Sequence, residues 1–356
     1  MSLDELRERI DALDGEVLEL LNERARCAQE IGEIKRSTNA VFYVPEREKA
    51  VFDRLREKNN GPLPAAAIRA IYREVISSIR ALERRITVGF LGPRDTFSHM
   101  AALRVFGATA EYHPLPTLAD IFNEVERKRI DYGILPVESS MGGGISDTLD
   151  RFISSELKIV NEVLLRIRQN LLANCPLEQI RRVYSKDNAF VQCRNWLRAN
   201  VPQAELIDKS STAEAARVAV KEEGAAAIAS ALAAETYGLD VLVASIEDMP
   251  NNYTRFFVVG HQLSKMTGKD KTSVLISVKD RPGALYALLL PFSDGGVNLT
   301  RIESRPSRRK AWEYVFFIDL IGHIDDPRVA GTIEKVAEHS NEVKVLGSYP
   351  QGEVEE

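Results

Sequence analysis

The sequence predicts three successive domains, all-α, then α/β, then α+β, and three observations carry that reading. Apolar residues follow only a helical period as far as residue 84. The period changes at "RITVGFLGPRD", where Ile86, Val88, Phe90 and Leu91 with Gly89 and Gly92 read as a strand entering a tight turn. Over the last 80 or so residues the apolar runs fall in the order strand, helix, strand, strand, helix, strand.

Residues 1–85 form the first domain. Leu3, Leu6, Ile10, Leu13, Val17 and Leu20 recur in steps of three and four, and the stripe resumes at Ile31 and Ile34. This seam predicts a helix of roughly 34 residues, about 50 Å long, which a small domain cannot cover alone. Two shorter helices start after Pro45 and after Pro64. A long helix with two short ones suggests a dimer in which the long helices pack together. Residues 86–262 form the second domain: "YGILPV", "RRVYS", "AAIAS" and "RFFVVG" alternate with helical stretches, as in an α/β layer with parallel strands. After the polar linker "LSKMTGKDKT", residues 272–350 form the third, whose βαββαβ order is the ferredoxin-like split unit. All residues proposed for catalysis precede residue 257, so this last domain is expected to be removable without loss of turnover.

Composition narrows the function. With 356 residues, 44% apolar and 28% charged, the chain is of the globular class, and a net charge of -5 gives no reason to expect nucleic acid. No stretch approaches the ~18 apolar residues of a membrane span, and the N-terminus is charged from its fourth residue, unlike a signal peptide, so a cytoplasmic location is expected. Three widely spaced cysteines offer no disulfide framework, and five scattered histidines no metal signature; neither metal nor cofactor is expected.

Arg24 and Cys27 occupy the two seam positions where apolar residues are due. Lys35, eleven positions beyond Arg24, projects within ~20° of it, whereas Arg7 lies ~100° away around the axis. Spacing alone leaves two readings: side chains that snorkel out of the seam, or cations lining a hole in it. "LRERIDALDGEVLELLNERARCAQEIGEIK" followed by "VPEREKAVF" resembles the helical chorismate mutases. The resemblance implies that Arg24 and Arg47 hold the carboxylates of chorismate, that Arg7 reaches in from the partner subunit, and that Lys35 donates to the ether oxygen. It further implies that Glu48 binds the substrate hydroxyl and that Glu83 lies beside the ether oxygen, where it donates only when protonated. Val44 and Ile79 depart from the pattern, standing where relatives have an acidic residue and a serine.

In the second domain "GFLGPRDTFSH", "PVESSMGGGISDTLD", "VYSKDNAFVQC", "STAEAA", "AAIASALAAETYGL" and "NNYTRFF" occur in the order found in prephenate dehydratases, which they resemble. The implied fold is two α/β lobes like a periplasmic binding protein, with prephenate in the cleft. Thr254 then matches the catalytic threonine, Arg255 the carboxylate ligand and Phe256 a floor beneath the ring. Thr96 and Ser98 open an anion-favouring helix start, and Ser139, Ser185 and Gln192 are polar cleft residues. Ser139, Asp95, Lys186 and Gln169 replace the asparagine, glycine and two histidines usual at their positions.

"DRPGALYALL" and "ESRP" resemble the amino-acid-binding ACT domain. Gly283, Ala284 and Leu285, with Glu303, Ser304, Arg305 and Pro306, are the implied phenylalanine site. The whole then reads as a bifunctional chorismate mutase and prephenate dehydratase, a homodimer or homotetramer inhibited by phenylalanine. An arogenate-preferring dehydratase, or a ligand-sensing protein with a degenerate catalytic domain, are the alternatives.

Overall fold

Why the long amphipathic seam exists is answered by what it leaves uncovered. In the computed structural model, which describes residues 1–38, 41–278, 281–306 and 314–353, α1 (Leu3–Thr38) runs 36 residues, or about 54 Å. Its seam residues Leu3, Leu6, Ile10, Leu13, Val17 and Leu20 are 42–64% exposed within one chain. α2 (Pro45–Lys58) begins with Pro45 in its first turn, where the missing N–H costs nothing. α3 (Ala65–Glu83) packs on both α1 and α2. At Gly32, the one fully buried residue of α1, an added Cβ would lie 3.1 Å from the Glu83 side chain, so this glycine lets α1 and α3 approach closely. Residues 105–111 belong to the same helical unit.

The second unit, residues 88–104 and 112–356, holds three sheets. In chain order its strands are β1 (Thr87–Leu91), β2 (Glu111–Leu115), β3 (Tyr132–Ser139), β4 (Gly143–Gly144), β5 (Lys158–Arg166), β6 (Asn170–Leu172), β7 (Arg182–Ser185), β8 (Glu205–Asp208), β9 (Ala225–Ala229), β10 (Val241–Val243), β11 (Tyr253–Gly260), β12 (Asp270–Ser277), β13 (Leu299–Pro306), β14 (Tyr314–Ile321) and β15 (Glu342–Pro350). The first lobe carries the order β2-β1-β3-β11-β5, the second β10-β6-β9-β7-β8. The chain leaves the first lobe after β5 and returns as β11, so the first lobe is built from two separated stretches of chain and the second from the continuous stretch between them.

That return corrects the expectation of a parallel layer. β1 pairs with β3, and β7 with β8 and β9, in parallel, but β11 enters between β3 and β5 antiparallel to both. The third sheet, β13-β14-β12-β15, is antiparallel throughout, with helices Ala284–Asp294 and Pro327–Glu338 completing the split βαββαβ unit. One face of this sheet packs Val274, Ile276, Ile318 and Leu320 with its own helices. The other face places Leu275, Val315, Phe317, Leu346 and Tyr349 in one core with Ile159, Phe257 and Val259 of the first lobe. Asp280, Trp312 and Glu313, within segments read above as turn and strand, lie outside the described residues.

Candidate active and regulatory sites

A cavity of about 340 Å³ opens inside the helical unit, walled by Ile31, Val51, Ile76 and Ile79 and edged by Arg24, Lys35, Arg47, Glu48, Arg80 and Glu83. Arg24 comes from the seam of α1, Arg47 and Glu48 from the first turn of α2, and Arg80 and Glu83 from one face at the end of α3. Lys35 Nζ donates to Glu83 Oε2 at 3.1 Å and to the Phe42 carbonyl at 3.5 Å. Glu83 Oε2 accepts that bond, which holds the carboxyl group against the Lys35 ammonium at the edge of the cavity. Arg24 and Arg47 have no ion-pair partner among the described residues, and two uncompensated guanidinium groups in an apolar-walled cavity favour an anionic guest. Arg7 does not line this cavity; it is exposed and lies 3.7 Å from Asp4. Val44 and Ile79 do line it, as apolar wall.

Arg80 escaped the sequence reading. It is buried, pairs with Glu48, donates to the Phe106 carbonyl at 2.9 Å and sits over the ring of Tyr43. Among the many arginines of this region only its spacing of three from Glu83 marks it. Burial pushes the Glu48 carboxyl above the ordinary range, although Arg80 and Lys35 both pull it down.

In the first lobe of the second unit the antiparallel register of β3 and β11 sets Thr254 directly opposite Ser139, on a partly buried stretch. Phe256, two residues on, is fully buried. Thr96 donates to the carbonyls of Leu91 and Pro93 at the start of the helix Phe97–Phe106, and Ser98 is buried beside it. In the second lobe the Ser185 hydroxyl donates to the Ile228 carbonyl at 2.8 Å, and Gln192 accepts from Gln169 Nε2 at 2.9 Å while Gln169 Oε1 stays buried without a partner. Asp95, held at φ +66° where a glycine would be at ease, gives its carbonyl to Ser230 of the second lobe at 3.2 Å. That bond brings the helix start near Thr96 against the second lobe.

Arg255 is a correction. Successive side chains on a strand point to opposite faces, so a Thr254 that faces the cleft turns Arg255 onto the back of the sheet. There its Nε donates to Glu162 at 2.7 Å, its NH1 pairs with Asp319, its NH2 donates to the Tyr349 hydroxyl at 3.1 Å, and its guanidinium stacks over Phe257. It is 7% exposed and committed to these partners, and does not serve as a substrate ligand.

Gly283 adopts φ +78°, a conformation glycine takes without strain, and opens the helix Ala284–Asp294 with space around its Cα and with Leu285 exposed. Glu303 and Arg305 alternate with Ser304 and Pro306 along edge strand β13. Glu303 pairs with Arg301, and Arg305 grips Asp150 at 3.1 and 3.2 Å and Ser146 at 2.9 Å. Both therefore face the dehydratase lobe, with Ser304 and Pro306 on the exposed side, and among the described residues no hydrogen bond joins this segment to Gly283.

Residues 6–84 match the chorismate mutase type II family, residues 88–264 the prephenate dehydratase family and residues 272–338 the ACT domain. These matches define a chain made of two enzyme domains and a ligand-binding regulatory domain. It is 47% identical to the bifunctional chorismate mutase/prephenate dehydratase of Aquifex aeolicus, over 99% of both chains, and 46% identical to that of Neisseria gonorrhoeae, over 98% of both. Among solved structures, the prephenate dehydratase of Arthrobacter aurescens in complex with L-Phe is 37% identical, with a TM-score of 0.69, over 75% of this chain and 90% of that one. The chain belongs to the bifunctional chorismate mutase/prephenate dehydratase family.

Proposed function

We propose that the chain converts chorismate to prephenate in the helical unit and prephenate to phenylpyruvate in the two-lobed unit, under feedback inhibition by phenylalanine. The observation that carries the first half is the cation-edged cavity. A Claisen rearrangement needs no nucleophile and no proton transfer; it needs the diaxial conformer held and the negative charge growing on the ether oxygen met by a donor. Arg24 and Arg47 are disposed to hold the two carboxylates, Lys35 is the donor, oriented by Glu83, and Glu48, steadied by Arg80, accepts the hydroxyl. Arg7 completes the pocket from a second subunit, whose long helix covers the exposed seam of α1. The assembly is thus a homodimer, or a tetramer of such dimers.

In the second reaction the ring carboxylate leaves as CO2, its electron pair aromatises the ring, and the ring hydroxyl departs with the C–O pair and takes a proton from solvent to become water. Thr254 supplies a hydrogen bond to that hydroxyl, with Ser139 beside it. Thr96, Ser98, Ser185 and Gln192 line the cleft, and Phe256 underlies the site. The carboxylate grip first expected of Arg255 falls to the helix start near Thr96. Phenylalanine binds at Gly283, Ala284 and Leu285, with Glu303 to Pro306 contributed across paired regulatory domains. The domain content and the absence of any helix among the described residues long and apolar enough to cross a membrane support action in the cytoplasm. Supplying chorismate, prephenate or arogenate separately, and following prephenate, phenylpyruvate and phenylalanine, tests the whole scheme. Turnover of arogenate but not prephenate would reassign the substrate, and turnover of none would leave a sensor.

A further inference from the structure

The cluster around Arg255 lies outside both reaction sites, yet it joins the strand that bears Thr254 to the regulatory sheet. We infer that Arg255 and Asp319 are a positioning pair through which the regulatory sheet sets the placement of Thr254; this rests on the reading of Thr254 as the donor to the departing hydroxyl. The chemistry of the cluster is unusual for a packing contact. Four ionic groups, Arg255, Lys271, Glu162 and Asp319, are drawn together where little water reaches, and Ser273 bridges Asp319 at 2.5 Å to Tyr349 at 2.6 Å. Charges so placed are costly to desolvate, and apolar side chains of similar volume serve stability as well or better, so a cluster of this kind is poorly explained by stability alone.

Its geometry suits transmission. Arg255 sits next to Thr254 on β11, while Asp319 lies on β14 and Tyr349 on β15, so the bonds of Arg255 to Asp319 and Tyr349 cross from the catalytic strand to the regulatory sheet, and its bond to Glu162 anchors it on β5 of its own sheet. The two layers have no slack. A Cβ added at Gly347 would fall 2.2 Å from the Ile159 carbonyl, so the backbone of β15 rests on that of β5. A displacement of β14 or β15 is then relayed through a rigid guanidinium rather than absorbed by side-chain rotation. A second strut runs in parallel. Arg301 pairs with Glu303 and approaches Glu138 at 3.8 Å, and Glu138 precedes Ser139, the residue facing Thr254. A ligand that prefers one arrangement of the regulatory sheet thereby biases both Thr254 and the facing Ser139.

The test uses the full-length protein with Asp319→Asn, which keeps size but removes the charge and one of the two oxygens that accept from Arg255 and Ser273. The dehydratase kcat should fall about tenfold with KM for prephenate essentially unchanged, since an interaction that only positions the donor is felt in turnover. The phenylalanine concentration for half-inhibition should rise about tenfold while calorimetry shows the effector still bound, as coupling free energies of ordinary size imply. A folded Asp319→Asn protein with unchanged kcat and unchanged inhibition, whatever its melting temperature, overturns the inference. So does an Arg255→Lys protein whose KM rises steeply at constant kcat, because Arg255 would then be a substrate ligand. Where Asp319→Asn fails to fold, Tyr349→Phe removes one hydroxyl from the same cluster and is judged by the same two readouts. Thr254→Val separates the premises: near-normal turnover in that variant removes Thr254 from the mechanism whatever Asp319→Asn does.

Discussion

Replacing Lys35 by alanine should reduce mutase kcat/KM by roughly 1,000- to 5,000-fold, about 4–5 kcal/mol at 1.36 kcal/mol per decade. Two terms add to that figure. Loss of a donor aimed at a developing oxyanion costs about 3 kcal/mol. The second term follows from the Glu83 carboxylate, which Lys35 holds at 3.1 Å and which would be left uncompensated beside a dianionic substrate. Two like charges about 5 Å apart at an effective dielectric constant of 20 repel by roughly 3 kcal/mol, and solvent entering the vacated space leaves about half of that. The second term is separable by experiment, because Lys35→Ala combined with Glu83→Gln removes the repulsion and should recover about tenfold. Mutase turnover is followed as chorismate consumption, with dehydratase turnover on supplied prephenate as the control, since that site uses no residue of the cavity. A double variant no faster than the single one would refute the Lys35–Glu83 argument, and parallel loss of both activities in a folded protein would refute two separate sites.

Thr254→Val keeps shape and strand propensity but removes the donor, so dehydratase turnover should drop at least a hundredfold with prephenate still bound, as equilibrium binding will show. Because burial raises the Glu48 carboxyl, mutase activity should decline on the acid side at a pH above the ordinary carboxylate range, and Glu48→Gln should abolish that limb; by the same sign, the contribution of Glu48 to stability is greatest at low pH and diminishes as pH rises through its elevated pKa. Arg80→Ala strips the buried partner from Glu48 and should lower the melting temperature of the helical unit as well as mutase turnover, by about 3 kcal/mol in stability; an unchanged melting curve would show that Glu48 needs no partner. Deleting residues 272–356 should yield insoluble or inactive dehydratase rather than a desensitised enzyme, which solubility and turnover of the truncated chain will check.

That last expectation reverses the one drawn from the sequence, and the reason shows where sequence patterns carry information. The helical seam was legible because its period is local, and Arg24 stood out because a guanidinium interrupts it. Arg80 did not, since an arginine on a short helix carries no local sign of burial. The opposite facing of Thr254 and Arg255 follows from strand geometry alone, yet the adjacent motif letters invited a shared role. Asp319, 64 positions from Arg255, could be brought to it only by sheet stacking, which no window of sequence reports.

The attachment of the regulatory sheet was written in its strands all the same. A split βαββαβ unit covers one sheet face with its own helices, and a free second face would alternate polar residues with apolar ones. "YVFFIDLI" is instead apolar on both faces apart from Asp319, and "TSVLISV" adds Leu275 to the second face. Val274, Ile276, Ile318 and Leu320 satisfy the helices, while Leu275, Val315 and Phe317 must be covered by something else. What covers them is the back of the catalytic sheet, with Phe257 and Tyr349 in ring contact at 5.7 Å. Asp319 is the single acidic residue in the run "YVFFIDLI", and a lone carboxylate inside a two-sided apolar strand requires a buried cation. Arg255 is that cation, so the strand that bears Thr254 is completed only when the regulatory domain is in place.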